Sequence, residues 1–301
     1  VNANPTQNSG AIPLMISRIA PFLLPALFFQ TAVFAFISPL PLFILTLKNN
    51  ARMSALALVT NGAILFALGS RVEFTAAMVF WFMIGVLFPF LIRKTGKIER
   101  SLTISFFAFL ALILAALLVQ TSHLNVGAIE YVKSQISAGI TELAAMPESP
   151  IKKIIEEQGN DALYRQLVTE LPSGLMITLV LAFWINLLFA SQLMSGFLSR
   201  SFWASFRTPE WLIWPTLIFA GLFAFAEHAP YYIGLNGFKL LLVFYGLQGL
   251  SVIANLLNRY KILGLGRSLV FVLAIFVLMP VVISVGFFDL WFDFRRKFGQ
   301  N

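Results

Sequence analysis

Seven stretches of this chain, 52–70, 74–93, 101–120, 172–195, 213–228, 237–257 and 268–288, run for 16 to 24 residues with no Asp, Glu, Lys or Arg near the middle. A helix needs about 20 mainly apolar residues to cross a bilayer. Such a segment must satisfy its own backbone polar groups, which in a single stretch only a helix does. An eighth region, 12–47, is longer than one span requires: at about 1.5 Å per residue it would reach roughly 54 Å, against a hydrocarbon core of about 30 Å. It also holds Pro21, Pro25, Pro39 and Pro41, which kink or break a continuous helix. The expected architecture is therefore all-α, a polytopic transmembrane helix bundle of eight spans, or nine if 12–47 forms a hairpin. Residues 1–301 read as a single integral membrane domain.

Composition removes the alternatives. Charged residues make up 11% of the chain and apolar ones 59%, against about 25% and 45–50% in ordinary soluble domains. So little charge cannot clothe a soluble enzyme or a nucleic-acid binder of this size. Absence of cysteine excludes disulfides, a thiolate nucleophile and cysteine-ligated metals. The two histidines, His123 and His228, argue against a histidine-rich metal site, so no metal and no cofactor is expected. Val1 to Gly10 carry no charge, and a cleavable signal peptide, which needs a basic start, is not expected.

The net charge of +8 is read as basic loops that orient the chain in a membrane, with the lipid bilayer as partner and no nucleic acid. Arg93, Lys94, Lys97 and Arg100 fill one short loop, and Arg259, Lys261 and Arg267 another. Counting spans puts 11 Lys/Arg on their side and 10 on the other. That tally alone is even, but four of the ten lie in the 50-residue segment 121–170, and long segments orient weakly. The short basic loops are thus expected in the cytoplasm of a bacterial inner membrane, and 121–170 outside. Ile129, Val132, Ile136, Ile140 and Leu143 recur there at helical spacing, and a second helix is expected after Pro147, with Ser149 as N-cap and Pro150 at its first position. It aligns Ile151, Ile154 and Ile155, then Leu163 and Leu167 after a break near Gly159. Two amphipathic helices follow from this pattern. Between 197 and 215, Phe197, Phe202, Trp203, Phe206, Trp211 and Trp214 mix with Arg200 and Arg207, the pattern of a surface helix at headgroup level.

Charge at membrane depth marks proton and ion pathways, and the spans from 52 onward lack it: Glu73, Glu227, Lys239 and Asp289 stand at span ends. No catalytic constellation is visible, and the chain is not expected to be an enzyme. The membrane polar groups are neutral. Tyr245, Gln248 and Asn255 share one helical face, with Asn61 and Asn186 in other spans. These five residues either glue helices together, at about 0.6 kcal/mol per bond, or line a cavity for an uncharged or zwitterionic ligand. Small residues that permit close helix approach occur at Gly246 and Gly249, and at Ala111 and Ala115.

The run Tyr245-Gly-Leu-Gln-Gly-Leu-Ser-Val-Ile-Ala-Asn-Leu-Leu-Asn-Arg259, the proline-kinked last span, Gly286-Phe-Phe-Asp289-Leu-Trp-Phe-Asp293-Phe-Arg-Arg296-Lys297 and the earlier Ser38-Pro-Leu-Pro-Leu-Phe-Ile-Leu-Thr-Leu-Lys48 resemble the YybS-like family of bacterial membrane proteins. That family is distantly grouped with the substrate-binding S components of energy-coupling-factor vitamin transporters. The resemblance implies a ligand cavity among helices and a partner that hydrolyses ATP. This chain departs from the S-component pattern in lacking Ala-x-x-x-Ala in its first span, the motif that docks the transmembrane partner. It has no P-loop pattern, so ATP hydrolysis would belong to another chain. Two functions remain in view: a transport-related small-molecule-binding membrane subunit, and a scaffold or accessory subunit of a cell-envelope complex.

Overall fold

In the computed structural model, residues 11–31, 34–48, 50–68, 71–124, 126–145, 150–194, 197–198 and 200–297 are described, and they form helices and turns without a strand. Val1–Gly10, Pro147 and the expected N-cap Ser149 lie outside them. Four helices are long and apolar enough to cross a membrane: Phe74–Thr95, Ile98–Leu124, Asn160–Leu193 and His228–Arg259. A fifth candidate is the pair Gly264–Phe276 and Met279–Phe292, bent by 93°. The other expected spans are shorter apolar helices of 10–17 residues. Packing divides the chain into two compact units, one of residues 1–123 and 179–197, the other of 124–178 and 198–301.

The first unit begins with α1 (Ala11–Phe29), which runs on through Pro21 and Pro25. The expected break at these prolines does not occur; it comes after Phe29, before a short 3-10 turn at Ala35–Ile37 and α2 (Leu40–Leu47). Pro39 and Pro41 open α2, where a missing N–H costs nothing. α3 (Ala51–Leu68), α4 (Arg71–Phe80) and α5 (Phe88–Thr95) follow, the last two joined by a π-helical segment at Trp81–Leu87. Ala26, Leu42, Ala57, Leu65, Ala77 and Trp81 form its core. α6 (Ile98–Leu124) is apolar along 27 residues yet buries only Ser101, Ser105 and Thr121. Ala111 and Ala115 on α6 are exposed, so no close helix approach uses them among the described residues.

The second unit opens with α7 (Ala128–Ala145) and α8 (Pro150–Gln158), and α8 starts at the expected proline. Ile151, Ile154 and Ile155 are half-buried, whereas Lys152, Lys153, Glu156 and Glu157 are exposed, so α8 is amphipathic as its spacing requires. Gly159 closes α8 in the left-handed region at φ +85°, which glycine enters without strain. The residues beyond it begin α9 (Asn160–Leu193), a continuous helix through Pro172. The amphipathic segment and the following span are therefore not separate elements; residues 160–178 belong to the second unit and 179–193 to the first. The expected surface helix at 197–215 is reduced to α10 (Arg200–Ser205), an irregular stretch through Thr208-Pro209 and a 3-10 turn at Glu210–Leu212. α11 (Ile213–Phe225), α12 (His228–Arg259), α13 (Gly264–Phe276), α14 (Met279–Phe292) and the short α15 (Phe294–Lys297) complete the chain.

α12 is the axis of this unit. α11 runs antiparallel to it, with Phe223 against Gly234 and Phe219 against Gly237. α14 crosses it at glycine: a Cβ on Gly249 would lie 2.0 Å from the Val282 carbonyl oxygen, and one on Gly286 only 1.9 Å from that of Tyr245. The small-residue signal thus marks a real backbone approach at Gly249, completed by Gly286, whereas Gly246 meets the Met279 side chain.

Candidate functional site

Four polar side chains in the apolar helices, Asn61, Asn186, Thr46 and Asn236, sit opposite prolines. Pro25 has no N–H, so the Pro21 carbonyl lacks its usual donor four residues on. Asn61 supplies one: its Nδ2 donates to Pro21 O at 2.8 Å, while its Oδ1 accepts from Ala26 N at 3.0 Å. Asn186 Nδ2 donates to Phe36 O at 2.8 Å, a carbonyl whose 3-10 partner would be Pro39. Asn186 Oδ1 is buried with no partner among the described residues. The Thr46 hydroxyl lies 3.0 Å from the Gly85 carbonyl, whose helical partner would be Pro89. At Pro172 the bridging side chain is Asn236: Oδ1 accepts from Ser173 N at 2.8 Å and Nδ2 donates to Thr169 O at 3.0 Å. The nearby Lys239 ammonium is paired with Glu170. Neighbouring side chains that re-satisfy opened backbone are how spanning helices tolerate proline.

Asn61 and Asn186 therefore have their partners in the first unit: both polar atoms of Asn61 and the Nδ2 of Asn186 are bonded to backbone there rather than to the Tyr245 row. Within that row the three residues differ. The Tyr245 hydroxyl shares a hydrogen bond with Thr216 Oγ1 at 2.9 Å, and the side chain is wholly buried. Gln248 is equally committed: Oε1 accepts from Thr208 N at 2.9 Å, and Nε2 donates to Asp289 Oδ2 at 3.0 Å. Asn255 is half-buried, and its amide has no hydrogen-bond partner among the described residues. It faces a cavity of about 320 Å³ lined by Ala204, Ser205, Arg207, Asn255, Asn258 and Arg295.

Asp289, at the end of the last apolar run, is buried, with its side chain at 0% exposure. Its Oδ1 accepts from Phe294 N at 2.9 Å, and its Oδ2 pairs with Arg295 at 3.2 Å. The Arg295 side chain is 7% exposed and donates to Ala204 O at 3.2 Å and Phe206 O at 2.7 Å. Burial pulls its guanidinium below the ordinary arginine range, and the Asp289 charge opposes that pull. Arg207 makes a more exposed pair with Asp293 at 2.6 Å.

These contacts fix where the chain goes after α12. Met279 lies against Gly246, Val282 and Gly286 against Gly249, and Asp289 against Gln248. Arg295 then shares its cavity with Asn255 and Asn258. The chain leaves the C-terminal end of α12 through α13 and comes back to that same end through α14. A straight crossing over 268–288 would instead separate 258–267 from 289–297 by the membrane thickness, about 30 Å.

The family model described as Predicted membrane protein (DUF2232) matches residues 14–290. The chain belongs to this family. The DUF2232 match takes in every proline repair, the Tyr245 row and Asp289, and stops five residues before Arg295. Comparison with curated proteins and with solved structures gives no match. Arg295, Arg207, Asn258 and Asn236 were not singled out for the site by sequence reasoning. Their only sequence signals are a basic cluster after the last apolar run and an asparagine inside an apolar one.

Proposed function

We propose that this chain is a multi-pass subunit of the bacterial inner membrane that binds a small molecule in the cavity at the end of α12. The observation that carries this reading is the Asn255 amide, which faces that cavity without a partner among the described residues, whereas Asn61, Tyr245 and Gln248 are already bonded inside the protein. The volume, about 320 Å³, is within the range of about 300–1,000 Å³ usual for ligand pockets. A transport-related role agrees with the resemblance to YybS-like proteins and, through them, to S components. The subunit has no chemistry or ATPase of its own, and a partner would supply any ATP hydrolysis.

In this reading, α13 and α14 do not cross. At 13 and 14 residues each is about 20 Å long, too short for a hydrocarbon core of about 30 Å. They form a re-entrant pair that brings Arg295, Arg296 and Lys297 to the side of the short basic loops. The Lys/Arg tally then becomes 14 against 7 in place of an even count, and supports a cytoplasmic position for those loops. The other expected spans cross the bilayer, the shorter ones with their polar ends at the interfaces, and 121–170 begins outside.

Native purification in mild detergent, followed by mass spectrometry of bound small molecules, tests the binding role. Wild type retains a molecule that Asn255→Leu does not; equal retention by both would refute the cavity as its site. A scaffold role is favoured by α6, whose apolar surface is exposed along its length. That reading predicts a co-purifying membrane protein lost on Ala111→Trp but kept by Asn255→Leu.

A further inference from the structure

We infer that the cavity at the end of α12 takes a phosphate-bearing anion, with Arg295 as its fixed anchor and Arg207 as an exchangeable one. This rests on reading the cavity as a ligand site and adds the class of ligand. Guanidinium forks match phosphate oxygens in pairs. Arg295 is held in place by two backbone carbonyls and Asp289, and its Nε is buried with no partner among the described residues. Arg207 is more than half exposed, at 54%, and its pair with Asp293 is half-open to solvent, so an incoming anion can replace that carboxylate at small cost. Asn255 and Asn258 add amide groups, and Arg267 Nη1 donates to Asn258 Oδ1 at 2.7 Å, orienting that amide.

Capping of the helix end does not consume these cations. The last carbonyls of α12 are closed by backbone: Tyr260 N donates to Leu256 O, Ile262 N to Leu257 O and Lys261 N to Asn258 O. With Lys261 at φ +54°, this is a Schellman closure. The charge balance points the same way. Segments 200–212, 255–267 and 286–297 carry eight Lys/Arg against three acids, and Asp289 and Asp293 are the two acids paired with the site arginines.

The surroundings suit a headgroup. A second groove, on residues a few positions along the chain from Arg207 and Arg295, is lined by Glu210, Trp211, Ile213, Trp214, Leu290 and Trp291, and its three tryptophans are exposed, as at a membrane interface. Basic pockets between spanning helices are where anionic headgroups bind. The phosphate can come from such a lipid or from a soluble phosphate compound.

The test uses the full chain in detergent, with thermal unfolding and native mass spectrometry as readouts. The additions are phosphatidylglycerol, a phosphate-free galactosyl diacylglycerol, or inorganic phosphate. Phosphatidylglycerol raises the unfolding midpoint of wild type and stays bound, and Arg207→Gln and Asn255→Leu each weaken it about tenfold or more. If inorganic phosphate acts alone with the same sensitivity to these variants, the phosphate inference holds and the source is soluble. Arg295→Lys, which also disturbs Asp289, is secondary. Galactolipid binding equal to phosphatidylglycerol, and lost in Asn255→Leu, would overturn the phosphate inference and leave the ligand site standing. A cavity where no addition depends on Asn255 would overturn both.

Discussion

Asn61 and Asn255 are both asparagines in apolar helices, and they end in opposite situations. Asn61 is wholly buried, and both its polar atoms are bonded to the backbone of a proline-containing helix. Asn255 lines the cavity at the end of α12, and its amide is unengaged among the described residues. An asparagine at membrane depth is therefore no pointer to a ligand until its partners are known. What separates the two cases is the supply of unsatisfied backbone: α1 exposes a carbonyl at Pro21, whereas the end of α12 closes its own.

The largest effect that would break this contrast falls on the second region's foundation. Asp289→Ala leaves the Arg295 guanidinium buried without its counter-charge and should cost about 3–5 kcal/mol in detergent unfolding. Asp289→Leu with Arg295→Met should recover most of that loss. A cost under about 1 kcal/mol would show that the pair does not hold the cavity wall.

Next is the crossing that brings the wall into place. Gly286→Ala puts a methyl 1.9 Å from the Tyr245 carbonyl oxygen. Since backbone rather than a flexible side chain must move, the loss should reach or exceed the upper end of the usual 1–3 kcal/mol range for overpacking, about 3 kcal/mol. Gly221→Ala, where a Cβ meets nothing, is the matched control and should be neutral or slightly stabilising.

At the first region, Asn61→Leu strands the Pro21 carbonyl and the Ala26 N–H and should cost about 1–3 kcal/mol. The sharper form is the double variant. Pro25→Ala restores the missing N–H, so Asn61→Leu should cost at least about 1 kcal/mol less in that background. Additive costs would remove the proline-repair account. The smallest expected effect is that of Asn255→Leu, within about 0.5 kcal/mol of wild type, because no internal bond is lost.

Much of this was legible locally. The all-helical fold, the start of α8 at Pro150 and the break at Gly159 follow from spacing and turn chemistry, which nearby residues determine. The partners were not. Asn61 meets Pro21 at 40 residues' separation and Gln248 meets Asp289 at 41, and no periodicity encodes such pairings. Where 12–47 breaks was not legible for the same reason, since the side chain that lets α1 run through two prolines lies on α3. The course of the last apolar run was not legible because hydropathy reports length and not direction. Pro280 announces a kink, but the 93° bend and the packing of α14 on α12 depend on residues far apart in sequence.

The return of the chain is the central claim, because without it Arg295 cannot reach Asn255. The natural sequence has no cysteine, so single cysteines report sidedness cleanly. Cysteine variants at Ser137, Lys261 and Arg296, all exposed positions, are treated with a membrane-impermeant thiol reagent on intact cells and on inverted vesicles. Arg296→Cys should react together with Lys261→Cys in inverted vesicles, and Ser137→Cys in intact cells. Labelling of Arg296→Cys in intact cells alongside Ser137→Cys would mean that 264–292 crosses the membrane, and would contradict the account.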